Sequence, residues 1–277
     1  MQADLHAQLT YENLVLDASV GYAHEGSLPA AITHRSDKNL ISREHWVGVR
    51  LNQEKLLLRA GRIALPFGIR QSDHTLWTRS ATRTDGEASQ QHGVALSYVG
   101  DTTRAELMAI AGNLQVSPTY FQERGVSAFI ETSLRPDVAV GLSSLLTRAT
   151  RDVTLRVPLI RHAHGAFARL VPVDELVLLA EGNALFSHPS GLGSRVGYVG
   201  TLQADFEVVQ GFHVLSTAEV LEDGGAASAP SAAARLGFWW FFAPHADTRI
   251  EGIQQRLARP EGSVSATSFL AQLHLSL

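Results

Sequence analysis

Alternation of apolar and polar residues with a period of two is the feature that most constrains this chain. The last ten residues place one set of apolar side chains on one face of an extended strand, namely Phe269, Ala271, Leu273, Leu275 and Leu277. The other face carries Ser268, Gln272, His274 and Ser276. Strands of a transmembrane β-barrel have this pattern, because one face meets lipid and the other meets a wet lumen.

Fifteen segments of similar length repeat this alternation. They predict strands at 4–12, 14–23, 42–51, 55–64, 92–100, 103–113, 124–134, 138–148, 161–171, 175–186, 195–208, 212–222, 233–242, 247–258 and 265–277. The segment from Arg104 to Ala111 alternates most cleanly, and 161–171 least cleanly. The pattern predicts an all-β fold, an antiparallel transmembrane β-barrel that forms a single domain over 1–277.

The predicted connections are short and long in turn. Short ones carry Gly, Pro, Asn and Asp, the residues that favour tight turns, whereas longer ones fall at 24–41, 65–91, 114–123, 149–160, 187–194, 223–232 and 259–264. Bacterial outer-membrane barrels have short periplasmic turns and long external loops. We therefore assign the short connections to the periplasmic side.

Fifteen strands is an odd number, whereas single-chain bacterial barrels have an even number. Either one N-terminal strand is absent from this sequence or one strand is miscounted, with 149–171 the place where a miscount is easiest. The first interpretation predicts about sixteen strands in the full form.

Composition excludes several classes of protein. The chain has 45% hydrophobic residues, a formal charge of −4 and no cysteine. Near-balanced charge argues against a nucleic-acid binder, and the absence of cysteine excludes disulfides and cysteine-ligated metals. No apolar run approaches the ~18–20 residues of a membrane helix. We expect no cofactor.

The longest connection, 65–91, is the first candidate site. It carries charged and polar residues that we predict to act in constriction and selectivity: Arg70, Asp73, His74, Arg79, Arg83 and Asp85. If the loop folds into the lumen, its arginines meet anions, since guanidinium groups suit phosphate and carboxylate. The alternative is an external loop in which the arginines pair with Asp73, Asp85 and Glu87.

The lumen wall is the second candidate. The alternation directs these charged side chains inward: Arg50, Lys55, Arg59, Arg104, Glu106, Glu131, Arg169, Glu181, Asp205, Glu207, Glu219, Arg249 and Glu251. Asp17 and Glu44 share this face, so acidic groups outnumber basic ones, which argues against a strong preference for anions. The alternative is a cross-strand lattice of ion pairs without a specific site.

Aromatic and histidine residues give two weaker signals. Tyr22, Tyr98, Tyr198, Phe206 and Phe269 fall on the apolar face, and the run 238–242 ends at a short turn, as expected of an interfacial aromatic girdle. His162 and His164 point the same way on a strand, as two metal ligands would, but no third ligand is evident. We therefore predict no metal site.

One segment resembles a known family. Residues 59–68, Arg-Ala-Gly-Arg-Ile-Ala-Leu-Pro-Phe-Gly, followed by Asp73 and His74, are similar to the GRF-x-x-PFG region of porin-like proteins related to the phosphate-selective porin O/P group. Weaker similarity at 106–113 and 272–275 brings the coverage to about 40–140 plus the C-terminus. The resemblance implies an outer-membrane barrel whose long loop narrows the pore. Leu277 departs from the aromatic residue with which the family usually ends.

We predict an outer-membrane, porin-like channel of the Gram-negative envelope for passive diffusion of ions or small polar solutes, with no enzymatic activity. The expected partners are the lipid bilayer, lipopolysaccharide and small solutes, with a homotrimer or an envelope partner protein as further options. Three alternatives remain open: a barrel that is a scaffold or sheath for another envelope protein, an outer-membrane hydrolase, and a soluble β-rich binding protein. No nucleophile signature supports the hydrolase.

Overall fold

A single meandering sheet makes up almost all of the structure. The computed structural model describes residues 2–23, 40–71, 73, 75–86, 89–114, 123–225 and 229–275. Its strands are β1 Gln2–Tyr11, β2 Leu14–Ala23, β3 Leu40–Leu51, β4 Leu56–Ile63, β5 Gln91–Val99, β6 Thr103–Gly112, β7 Glu123–Arg135, β8 Val138–Ala149, β9 Leu159–Val173, β10 Leu176–Pro189, β11 Arg195–Val209, β12 Phe212–Glu222, β13 Ser231–Ala243, β14 Ala246–Arg259 and β15 Gly262–Leu275. One short helix, α1, spans Trp77–Thr82.

Every strand pairs antiparallel with its neighbour in sequence, and the order in the sheet is β1 to β15 without crossovers. Within the described ranges, β1 and β15 do not pair with each other, so the sheet is not closed. No helix in the same ranges has the length and apolar character that a membrane span requires.

The all-β prediction is confirmed, and each of the fifteen predicted strands is present with its ends within a few residues. One predicted connection was wrong. The expected long loop 259–264 is a turn of two residues, Pro260 and Glu261, because the ladder between β14 and β15 continues until Arg259 pairs with Gly262. The segment 149–171 contains one strand, β9, and no second one.

The two faces of the sheet differ as the alternation requires. In β6, Glu106, Met108 and Ile110 are buried, whereas Leu107 between them is 56% exposed. The same holds around the sheet: large apolar side chains are exposed on the outward face, and most of the buried polar side chains lie on the inner face. The aromatic residues assigned to the outward face are exposed there, as Phe206 and Tyr198 illustrate. The outward face is therefore suited to lipid, and the inner face encloses the site described next.

Candidate functional site

The described residues of the connection between β4 and β5, namely 64–71, 73, 75–86, 89 and 90, lie against the inner face of the sheet, and we call them the lumen loop. Leu65 and Phe67 at its start are almost completely buried. They pack in one cluster with inner-face residues of four strands and the end of β4: Ile63, Ala95, Met108, Ile110, Leu145 and Ala163. The Ser127 hydroxyl donates to the Pro66 carbonyl at 2.8 Å. An apolar start therefore directs this loop inward and fixes it on the near wall.

Glu181 of β10 is the main anchor of the next part of the loop. Its carboxylate forms an ion pair with Arg79 of α1, and both side chains are 3% exposed. It also accepts hydrogen bonds from the backbone N–H of Ile69 at 2.9 Å and from the Asn183 side-chain amide at 3.0 Å. Two separate points of the loop, Ile69 and Arg79, are thus tied to one buried carboxylate. The hydrogen bonds and the ion pair compensate the buried charge of Glu181.

A second anchor joins the loop to β12 and β13. Glu219 accepts a hydrogen bond from the backbone N–H of Trp77 at 2.5 Å, and it forms an ion pair with Arg235 at 2.7 Å. Arg235 in turn donates to the Thr75 carbonyl at 2.6 Å and contacts the Thr75 hydroxyl. Helix α1 starts at this point, so its first turn is held by a wall carboxylate.

Asp73 gives the third anchor. It forms an ion pair with Arg249 of β14 at 2.8 Å, and Arg249 also contacts Glu251 at 2.5 Å. Burial by itself would raise the pKa of Asp73, but hydrogen bonds from Thr75 and the charges of Arg249 and Arg235 outweigh it and lower the pKa below its usual value. Asp73 is therefore held in its charged form.

The far end of the loop is tied to the connection between β8 and β9. Arg83, which ends α1 with a left-handed backbone, pairs with Asp152 at 2.6 Å. Arg161 of β9 donates to the Thr82 carbonyl at 2.7 Å. Burial opposes the charged form of Asp152, but the hydrogen bonds from Arg83 and from backbone N–H groups are stronger and lower its pKa.

Below these anchors, toward the short turns, lies an arginine cluster that consists of Arg59, Arg70, Arg104 and Arg169 with Glu106 and Glu131. Glu106 pairs with Arg59 at 2.5 Å and with Arg70 at 2.8 Å. Glu131 pairs with Arg104 at 2.8 Å and with Arg169. Four guanidinium groups share two carboxylates, so the cluster carries an excess of positive charge.

Exposure within the cluster is unequal. The side chains of Arg70 and Arg104 are 41% and 43% exposed, and that of Arg169 is 36% exposed, whereas both carboxylates are at most 5% exposed. The Phe129 ring lies 5.1 Å from the guanidinium carbon of Arg70 and 5.9 Å from that of Arg104, which holds these cations in place. The surface that faces the lumen is therefore cationic although its supporting groups include acids.

The other predicted site residues lie apart from this cluster. Arg50 and Lys55 are near the short turns, where they pair with Glu54 and Asp101 at 3.8 and 3.9 Å. Asp205 and Glu207 contact His213 at 2.8 and 3.8 Å. The Asp85 carbonyl accepts the Ser89 N–H within the loop. His74 and Leu277 lie outside the described residues.

Several residues that hold the loop were not singled out from the sequence. Arg235 follows the alternation of β13 onto the inner face, so the period-two pattern was sufficient to find it. Arg161 was missed because β9 alternates poorly at its start, and Asp152 and Thr75 lie in connections where no periodicity applies.

The histidine pair singled out from the sequence lies away from the lumen loop. His162 and His164 lie on the outward face of β9 with their ring centres 6.1 Å apart. Across the described ranges, no group of three or more His, Asp or Glu side chains is placed to hold a metal ion.

Comparison with known proteins gives a match in fold. No family model matches the sequence, and no curated protein matches it. The loop L8 deletion mutant of OmpT, an outer membrane protein of Vibrio cholerae, superposes with a TM-score of 0.71 at 12% identity, covering 99% of this chain and 89% of that one. Pseudomonas putida OprB superposes with a TM-score of 0.71 at 9% identity, covering 99% of this chain and 87% of that one. An anion-selective porin from Comamonas acidovorans gives 0.69 at 11% identity, covering 99% and 87%.

These matches confirm the porin-like fold predicted from the sequence. The location named for the OmpT structures, the outer membrane, agrees with the predicted location of this chain. The chain therefore has the β-barrel fold of outer-membrane porins, with a lumen loop tied across its inner face.

Proposed function

We propose that this chain is an outer-membrane, porin-like channel for passive diffusion, in which Arg70, Arg104 and Arg169 favour small anions. The observation that carries the proposal is the unequal exposure within the arginine cluster. Arg70, Arg104 and Arg169 are more than one third exposed, whereas Arg59 and the two carboxylate partners are buried or nearly so. Charged side chains at a constriction select ions by the sign of their charge.

The acidic residues on the wall contribute less exposed charge than their number suggests. Counted along the sequence, acids outnumber bases on the inward face. The acids nearest the lumen loop, Glu181, Glu219 and Glu251, are each buried and paired with an arginine, so they do not present free negative charge. What a solute meets depends on exposed charge, and that charge is positive near Phe129.

The remaining predicted residues have structural roles in this proposal. Arg79, Arg83 and Asp73 hold the lumen loop in the lumen, so that Arg70 is presented beside Glu106. The loop therefore sets the width of the passage, and the arginine cluster sets its preference for anions over cations. The similar fold of an anion-selective porin supports this combination. The trimeric form recorded for OmpT supports a homotrimer in the outer membrane.

A barrel with an occupied lumen that acts as a scaffold for another envelope protein is the second candidate. The buried ion pairs that join the lumen loop to β10 and β14 favour it, because such a loop leaves less room for solute. A hydrolase has less support. Among the described residues, no serine, histidine and acid are hydrogen-bonded in series; Ser144 bonds His164, and His213 bonds Asp205, as separate pairs.

Single-channel recording in a planar bilayer tests the proposal. With a potassium chloride gradient, the wild-type protein is expected to give stable steps and a reversal potential of the sign for chloride preference. The triple variant R70Q/R104Q/R169Q is expected to lose that preference. Arg256→Gln, an outward-facing arginine of β14, is the matched control and should leave the reversal potential unchanged.

Two other results separate the alternatives. Absence of steps from folded, inserted protein contradicts the channel and favours the scaffold. Stable steps with preference for potassium contradict the role of the arginine cluster and favour the acidic wall.

A further inference from the structure

The aromatic run 238–242 of β13 divides between the two faces of the sheet. Its even-numbered members follow the outward face, where aromatic rings suit a lipid interface. Trp239 and Phe241 follow Arg235 onto the inner face, and Phe241 is 42% exposed there. A large apolar ring that is open to a wet lumen is surface that a solute can cover with a gain in free energy.

Two rows of directly paired residues place these rings among polar side chains. The first row runs across β11 to β14 and consists of Glu207, His213, Trp239 and Arg249. The second row lies nearer the short turns, across β13 to β15, and consists of Phe241, Asp247 and His274. Asp205 precedes Glu207 by two residues on the same face of β11, so it borders the first row.

Three rings meet where the two rows adjoin, and we call His213, Trp239 and Phe241 the aromatic patch. The ring centres of Trp239 and Phe241 are 4.6 Å apart, and that of His213 is 5.7 Å from Phe241 and 6.4 Å from Trp239. The corresponding ring planes are inclined by 37°, 73° and 49°, so the rings do not form a flat platform. Ring faces at different angles can contact one compact group, as in the aromatic cages that bind quaternary ammonium ions.

Three acids surround the aromatic patch. The side chains of Asp205, Glu207 and Asp247 are 30%, 36% and 17% exposed. Their hydrogen-bond partners are an indole N–H, two histidine rings and one backbone N–H. Within the described ranges none of the three pairs with an arginine or a lysine, unlike the acids that anchor the lumen loop. The patch therefore presents negative charge that a cationic solute can neutralise.

Arg249 does not cancel this charge. Its guanidinium carbon lies 6.0 Å from the Trp239 ring centre, so the indole already accepts one cation at its face. Asp73 and Glu251 both pair with Arg249, whose side chain is only 13% exposed. The aromatic patch thus lies between the third anchor of the lumen loop and the short turns, and its exposed charge is negative.

We propose that the aromatic patch and its three carboxylates form a binding site for small quaternary ammonium ions, on the side of the lumen that carries the short turns. The methyl groups of the ammonium ion contact the ring faces, and the carboxylates compensate its charge. This site goes beyond the anion preference proposed above. It shares no residue with the arginine cluster, so either site can fail without the other.

Saturation-transfer NMR of the purified protein in an uncharged polyoxyethylene detergent tests this site, with choline as the probe. The carbon isostere 3,3-dimethylbutan-1-ol has the same shape as choline but no charge. We expect saturable binding of choline to the wild type, with a Kd at least tenfold lower than that of the isostere. Phe241→Leu should weaken choline binding at least threefold, and D205N/E207Q at least fivefold.

Two matched controls should stay within twofold of the wild type. Phe242→Leu removes the neighbouring ring from the outward face of the same strand. D101N/D174N removes two exposed negative charges from other short turns. Heat-modifiable gel mobility verifies that each variant is folded, and the comparison of choline with its isostere on the wild type needs no variant.

Equal affinity of the wild type for choline and for the isostere would overturn the proposal. Unchanged choline binding in D205N/E207Q, or equal losses in Phe241→Leu and Phe242→Leu, would do the same. The competing ligand is a neutral sugar: if glucose binds in a manner that depends on Phe241 and choline does not bind, the patch is a saccharide site and the proposal is wrong. Binding is measured without conductance, so a failed channel and a failed ammonium site are told apart.

Discussion

Arg79 of helix α1 and Glu181 of strand β10 are 102 residues apart in sequence and form an ion pair in which each side chain is only 3% exposed. The pair joins the lumen loop, which leaves the sheet after β4, to the inner face of β10. Removal of one partner would leave the other charged, buried and without its counter-ion, the costly case for a buried pair.

The first prediction concerns this pair. Arg79→Met should weaken docking of the lumen loop by about 3–5 kcal/mol. Single-channel conductance should rise, and trypsin should cleave within residues 64–90 of the inserted protein. The double variant R79M/E181L removes both charges and should recover part of the docking. If Arg79→Met leaves conductance and cleavage as in the wild type, the pair does not hold the loop.

Gly68 is the subject of the second prediction. Its φ is +59°, and an added Cβ would lie 2.3 Å from a carboxylate oxygen of Glu181. Gly68→Ala should therefore destabilise the docked loop by more than the ~1–2 kcal/mol of left-handed backbone strain alone, and it should raise trypsin cleavage of the loop. Gly86→Ala in the same loop meets nothing within 4 Å, so it should behave as wild type. Equal behaviour of the two variants would contradict the contact with Glu181.

Acid should release the loop, which is the third prediction. The pKa values of Asp73 in the loop and of its wall-side counterpart Asp152 are both lowered from their usual 3.8 when the loop is docked. A lowered pKa stabilises the docked state fully above 3.8, and this contribution is lost as the pH falls through the lowered values. Conductance recorded from about pH 5 to about pH 2.5 should rise in this window.

Asp152→Asn provides the control for acid release. It removes one of the two titrating anchors, so conductance at pH 5 should already be raised and its dependence on acid should be shallower than in the wild type. A variant with the same acid profile as the wild type would show that Asp152 is not an anchor.

The fourth prediction tests the assignment of faces. The chain has no cysteine, so single cysteines are clean reporters. Asp205→Cys on the inner face of β11 should react with a water-soluble thiol reagent in intact membranes, whereas Phe206→Cys next to it should react only with a lipid-soluble reagent. Reversed reactivity would exchange lumen and lipid in the whole sheet, because each strand is paired with its neighbours and the faces of all strands are therefore linked.

Much of the fold follows from local pattern. The segment from Arg104 to Ala111 alternates so cleanly that its strand and both of its faces were evident from sequence. The turn at Pro260 and Glu261 was not, because its length depends on how far β14 and β15 remain paired, and pairing is not a property of either strand alone.

The candidate site was partly predictable for the same reason. Alternation placed Arg59, Arg104 and Arg169 on the inner face, and loop length directed attention to Arg70. The sequence alone does not show that Glu181 and Glu219 form ion pairs with Arg79 and Arg235, because these partners lie on other elements of the fold. Only the assembled sheet separates exposed charge from neutralised charge.

The anchors of the lumen loop also constrain the order of assembly. Asp73 meets Arg249 across 176 residues of chain, and contacts at such separation form late because the intervening chain must be ordered first. The loop therefore cannot finish docking until β14 has joined the sheet. The loop is accordingly docked only when nearly all strands have assembled. An immature barrel would remain wider inside than the finished one.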